Sequence, residues 1–293
     1  MNFLENLKST YKQGDAVIRL IYINSVLFIV LKIFVLVMQL FKLDGEFIYT
    51  YLAMPSNLKS LLYKPWTVVT YMFLHKDFFH IFFNMLALYW FGKLFLIQFT
   101  QKQLYGLYFW GGLSAGLIYL ISYNIFPLFS DQVDFSILMG ASGSIMAMIL
   151  ATAMQFPNME LRFFLIGMVK LKYIAIAAVL ISIFGITSGN AGGQLAHLGG
   201  ALYGYFFVIS LRRGKDSTKG FNKLMDSISN LFKSQKLKVK RAKPSNRKMT
   251  DAEFNMNKAK QMKEIDRILD KIKSSGYGSL TSEEKKKLFE QGK

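Results

Sequence analysis

The 293-residue chain has no cysteine and only three histidines, and its acids are outnumbered two to one, 18 Asp and Glu against 36 Lys and Arg. Without cysteine there can be no disulfide scaffold, thiol nucleophile or thiolate metal site. With three histidines and no HExxH sequence, the zinc-protease pattern is excluded. No apolar run carries an aspartate in its interior, so a pair of intramembrane aspartates is excluded as well. What is abundant is apolar: 52% of residues are hydrophobic, 27 are Phe, and the mean hydropathy is +0.28. That is too apolar for a protein with a fully wet surface, and it points to a membrane as solvent. The apolar and basic characters are segregated, because residues 212–293 hold 23 basic against 10 acidic side chains.

The run from Val17 to Leu40 exceeds the ~20 residues that span hydrocarbon and is too long for a signal-peptide core, so it is read as a retained first span. Further runs at His80–Ile97, Leu104–Phe126, Ala141–Phe156, Tyr173–Thr187 and Gln194–Leu211 make six, the fourth and fifth being short. The expected fold is an all-α, polytopic, six-helix transmembrane bundle with a basic, partly helical C-terminal tail. Residues 1–211 form the membrane domain, 212–250 a basic linker and 251–293 a small helical cytoplasmic tail. Lys8, Lys12, Arg19, Lys102, Arg162, Lys170, Lys172, Arg212 and Arg213 fall on one side, and Asp131 and Asp134 on the other. The positive-inside rule then puts both termini in the cytoplasm.

The segment Phe41–Lys76 is too apolar to float in water and is expected at the membrane interface. Lys233–Lys248 reads as solvated linker. Met262, Ile265, Ile268, Leu269 and Ile272 recur at helical spacing, Gly276-Tyr277-Gly278 is a turn, and Thr281 with Glu284 fits a capping box before Leu288 and Phe289. Anionic lipid headgroups account for the basic tail, which lacks zinc ligands and the aromatics that stack on bases, so no nucleic-acid partner is expected.

Polar groups inside spans are costly and therefore informative. His80 and Asn84 open the second span, four residues apart and on one helix face. Ser142 opens the fourth and His197 lies near the start of the sixth. These three spans run in the same direction, so the four groups share one depth. A serine hydroxyl becomes a nucleophile when a neutral imidazole within about 3 Å takes its proton. Attack on an amide carbonyl then needs donors for the oxyanion, and the Ser142 backbone N–H, His80 and Asn84 are the candidates. Small residues at Gly140, Gly143, Gly192, Ala196, Gly200 and Gly204 allow the close helix approach that a Ser–His hydrogen bond requires. Each residue alone has a plainer reading, Ser142 as helix packing and the others as interhelical hydrogen bonds. Spacing and common depth favour catalysis.

Taken together, the GxSG sequence at Gly140-Ser142-Gly143, the AHxxGxxxG pattern at Ala196-His197-Gly200-Gly204 and HxxxxHxxxN at His75-His80-Asn84 resemble the rhomboid intramembrane serine proteases, with the tail similar to one appended to some bacterial members. The resemblance implies a Ser142/His197 dyad without a third acid or cofactor, with His80 and Asn84 assisting the oxyanion hole. It also implies single-span membrane proteins as substrates, cut near the outer end of their transmembrane segment, in a bacterial cytoplasmic membrane. Trp66 is followed by Thr67 where many members carry Arg. Met146 stands where a few carry an aromatic that packs on the histidine, leaving Tyr203 or Tyr205 for that role, or none. Two other functions compete. One is a catalytically inactive rhomboid-like protein that binds membrane clients. The other is a transporter, which would need polar residues through the inner halves of the spans, where none is read. A neutral His197 as base implies activity that falls as it protonates, near ~6.5 for an ordinary histidine.

Overall fold

The computed structural model describes residues 3–163, 167–232 and 250–290, in two compact units, 1–233 and 234–293. In the first, α1 (Phe3–Gln13) precedes α2 (Ala16–Leu40). The second has 25 residues without Gly or Pro, and Asp15 caps its start by accepting the Ile18 N–H at 3.1 Å. A long connection follows: α3 (Phe47–Leu52), strand β1 (Met54–Pro55), α4 (Leu58–Tyr63) and α5 (Thr67–Thr70). Next come α6 (Phe78–Gln98), α7 (Gln101–Ile125), strand β2 (Ile137–Leu138) and α8 (Ser142–Gln155). The hairpin β3 (Glu160–Phe163) and β4 (Gly167–Lys170) leads to α9 (Leu171–Phe184), α10 (Ala191–Arg212) and α11 (Lys219–Phe232).

This is an all-α polytopic membrane bundle. Helices α2, α6, α7 and α10 are long and apolar enough to cross a membrane, whereas α8 and α9 have 14 residues each. A 14-residue helix rises only about 21 Å, short of the ~30 Å hydrocarbon core. For α8 the shortfall is met by protein: it packs against α6, α7, α9 and α10, and Gly143–Met148 are all buried. Small residues set how close α8 and α10 come. A Cβ on Gly200 would lie 1.9 Å from the Gly143 carbonyl oxygen, and one on Gly204 would lie 2.3 Å from that of Ala147. The GxxxG pair is therefore used inside the fold.

Side chains of the α2–α6 connection bond to backbone carbonyls, both within the segment and beyond it. Trp66 Nε1 donates to Tyr51 O at 3.0 Å and Thr70 Oγ1 to Leu52 O at 2.6 Å. Ser56 Oγ donates to Val133 O at 2.7 Å, and β1 pairs antiparallel with β2, Met54 opposite Leu138. Thr67, at the position where the resemblance leads one to expect Arg, is fully buried and donates to Lys64 O at 2.6 Å. Leu62 and Tyr63 turn outward, both more than 80% exposed, as an interfacial segment requires.

Two features differ from the sequence reading. Residues 219–232, expected within a linker, form α11, whose Phe221 stacks on Phe109 at 4.4 Å while Asp226 pairs with Lys102 at 2.7 Å, so the first compact unit continues past residue 211 to 233. The span interiors also hold more polar groups than read: Lys93 of α6 pairs with Asp15 at 2.6 Å, and Asn24 and Thr152 are fully buried. The Lys233–Lys248 run lies outside the described residues.

The second unit is α12 (Asp251–Ser275) and α13 (Ser282–Glu290), joined through Gly276 at φ 76°. Ile268 and Leu280 are buried there. Thr281 and Glu284 form the capping box, with Thr281 N–H donating to Glu284 at 2.8 Å and Glu284 N–H to Thr281 Oγ1 at 3.3 Å. The Thr281 N–H and the Lys271 ammonium, 2.9 Å away, hold the Glu284 carboxyl down to about 2.

Candidate active site

The N-terminal ends of α6, α8 and α10 meet at one cavity of about 500 Å³, lined by Ser142, His197, His80 and Asn84 together with Lys76, Asp77 and Gly189–Gly193. Each of the four is placed by its own helix start. Asp77 caps α6, accepting the His80 N–H at 2.8 Å. Asn84, one turn further and almost buried, donates from Nδ2 to His80 O at 2.8 Å, while its Oδ1 has no protein partner among the described residues.

Ser142 is the first residue of α8, so its N–H has no carbonyl one turn back and is free to bind an anion. The chain enters that helix through Gly140 at φ 125°, a conformation L residues rarely adopt, held by a 2.9 Å bond from its N–H to Tyr71 O. A Cβ at Gly140 would sit 2.8 Å from His80 Nε2 and 3.7 Å from Ser142 Oγ. The imidazole and the hydroxyl thus flank the same backbone point, and only a missing side chain leaves them room.

His197 comes from the second turn of α10, whose N-cap Asn190 accepts the Gly193 N–H at 3.3 Å. Close packing sets α10 beside α8 and α7: a Cβ built on Gly143 would lie 2.4 Å from that of Ala115 and 3.4 Å from the Ala196 carbonyl, and one on Gly192 would lie 2.9 Å from the Tyr119 ring, so that His197 and Ser142 line the same cavity. Of the six small residues expected around the site, Gly140, Gly143, Gly200 and Gly204 leave no room for a Cβ, Gly192 lines the cavity and Ala196 is buried. Met146 is buried, Tyr203 directs its hydroxyl to Ser217 at 3.1 Å, and Tyr205 is half exposed, so neither tyrosine takes the expected place beside the histidine.

Two residues stand out beyond those expected to act. His75, in the loop before α6, is fully buried with its ring 5.0 Å from that of His80, edge to face. Burial and the neighbouring His80 push its pKa down to about 3. Ser182 of α9, buried, has its Oγ 3.3 Å from His197 Nδ1. It escaped the sequence reading because a lone serine in an apolar run carries no spacing signal.

Chemically, the cavity joins a hydroxyl at a helix N-terminus, an imidazole from a neighbouring helix and two further side chains able to donate hydrogen bonds, which is the equipment of acyl transfer. Comparison with known proteins agrees with the fold. A profile of the Rhomboid domain matches residues 63–214, and one described as a family of unknown function (DUF6576) matches residues 248–293. The chain is 28% identical over 210 residues to "RHOMBOID-like protein 12, mitochondrial" of Arabidopsis thaliana; the match covers 69% of this chain and 60% of that protein.

Proposed function

Because the chain belongs to the rhomboid family, we propose that it is an intramembrane serine endopeptidase in which Ser142 is the nucleophile and His197 the general base. Ser142 Oγ attacks the scissile carbonyl carbon while its proton passes to His197 Nε2. The carbonyl oxygen becomes an oxyanion held by the Ser142 N–H, His80 and Asn84, donors worth roughly 3 kcal/mol each in such sites. His197 then gives its proton to the leaving amine. Water, deprotonated by the same imidazole, hydrolyses the acyl-enzyme and regenerates Ser142. The single observation that supports this most is the convergence of Ser142, His197, His80 and Asn84 on one cavity at the start of α8.

The substrates are single-span membrane proteins whose helix is opened near its outer end, since a carbonyl inside an intact helix is bonded and shielded. Both termini lie in the cytoplasm of a bacterial cell, with the basic tail against anionic lipid. The test is cleavage of a panel of single-span proteins by the full chain in liposomes beside Ser142→Ala. Cuts that vanish with the serine support the reading. Client binding without any cut by the folded native protein would make it a non-catalytic family member.

A further inference from the structure

We infer that Ser182 is a positioning residue that fixes the tautomer of His197. Ser182 lies in the last turns of α9, within the apolar sequence Leu180-Ile181-Ser182-Ile183-Phe184, and is almost completely buried. Its hydroxyl donates to the carbonyl of Ala178, one turn back, at 2.9 Å. A buried serine bonded this way is ordinary in a helix, where it merely satisfies itself. Here the same oxygen also meets His197 Nδ1 at 3.3 Å, on the neighbouring helix α10.

A serine hydroxyl carries one hydrogen and two lone pairs. With that hydrogen spent on Ala178, the oxygen can only accept from the imidazole. Neutral histidine has a single N–H, and accepting it at Ser182 requires it on Nδ1. The lone pair is then left on Nε2, the nitrogen that must take the proton of Ser142. A neutral hydroxyl thereby does the orienting that a carboxylate performs in a three-residue serine-hydrolase site, without placing a charge in the membrane. Once His197 has taken the proton, both nitrogens carry hydrogen, and the Nδ1–H to Ser182 bond becomes charge-assisted and shorter. The contact also ties the base to α9, so the tautomer depends on α9 and α10 staying side by side.

The kinetic part rests on the proteolytic reading, whereas the tautomer does not, and the experiment separates them. Full-length protein with 15N-labelled histidine is examined in bilayers by solid-state NMR. With three histidines in the chain, the His197 signals are assigned by single substitution. The native protein should show neutral His197 protonated on Nδ1, and Ser182→Ala a mixture of tautomers. Against a cleaved substrate, Ser182→Ala should lower kcat about tenfold, the size of one neutral hydrogen bond, with KM changed less than about twofold. Ser182→Thr, which keeps a hydroxyl able to bond the carbonyl one turn back, should restore both readouts. A native His197 protonated on Nε2 would overturn the inference, as would a Ser182→Ala protein with native tautomer and native kcat. If the native protein cuts nothing, the proteolytic reading falls, and the tautomer, measured without turnover, still decides the role of Ser182.

Discussion

Replacing Gly200 with alanine tests the glycine position that leaves least room for a side chain among the described residues. The added Cβ would stand 1.9 Å from the Gly143 carbonyl oxygen and 2.7 Å from its carbon, both backbone atoms that no rotamer change can move. A carbon rests about 3.3 Å or more from an oxygen, so α8 and α10 must part by more than about 1 Å. Overfilling a packed contact costs roughly 1–3 kcal/mol, and at a backbone-to-backbone contact the upper end applies. The function suffers more than the stability. Gly143 follows Ser142, and Gly200 lies three residues after His197, so the separation opens directly between nucleophile and base. A misplacement of about 1 Å costs on the order of 100-fold in rate. The assay is thermal unfolding in detergent together with initial cleavage rate. Gly220→Ala, whose Cβ would meet no atom within 4 Å, serves as the control expected to keep native values. A Gly200→Ala protein with native melting temperature and native rate would refute this account of how the two helices pack.

His75 predicts an acid-sensitive fold. Its pKa, about 3 in the folded protein, lies below the ordinary value of 6.5, so above that value both states hold it neutral, and below it the unfolded chain binds the proton first. Stability is therefore fully present above pH 6.5 and lost as pH falls toward about 3, by up to ~1.4 kcal/mol per pH unit. Unfolding measured between pH 7 and 4 should show stability falling with pH, and His75→Gln should make the slope shallower by the share of this one histidine. Asp15 holds two bonds at once, the cap of α2 and the Lys93 ion pair. Asp15→Ala is expected to cost about 1–2 kcal/mol and Asp15→Asn, which keeps the cap, about half as much, both read from unfolding midpoints.

Much of this was legible in the sequence because a membrane makes the pattern blunt. Apolar runs located the six helices to within a few residues, since no water is available to satisfy a backbone left outside a helix. His80, Asn84, Ser142 and His197 stood out as polar groups in apolar runs, and the four line one cavity in the structure. What escaped depends on partners distant in the chain. Lys93 went unread as a charge within the second apolar run, and its partner Asp15 lies 78 residues earlier. The two-residue pairing of Met54–Pro55 with Ile137–Leu138 is too short to show alternation. The hairpin of β3 and β4 carries no Gly-Asn or Asp-Gly turn, and α11 looked like linker because Phe221 finds its ring partner only once α7 is folded. Ser182 is the sharpest case, an unremarkable serine until α9 is laid against α10.

The most direct test of the central claim is labelling of the detergent-solubilised full chain with a fluorophosphonate probe, which reacts covalently only with an activated serine. The account predicts one adduct, on Ser142, lost in Ser142→Ala and in His197→Ala while both variants keep the native unfolding profile. A native, folded protein that stays unlabelled, or labelling that survives removal of His197, would contradict a Ser142/His197 dyad.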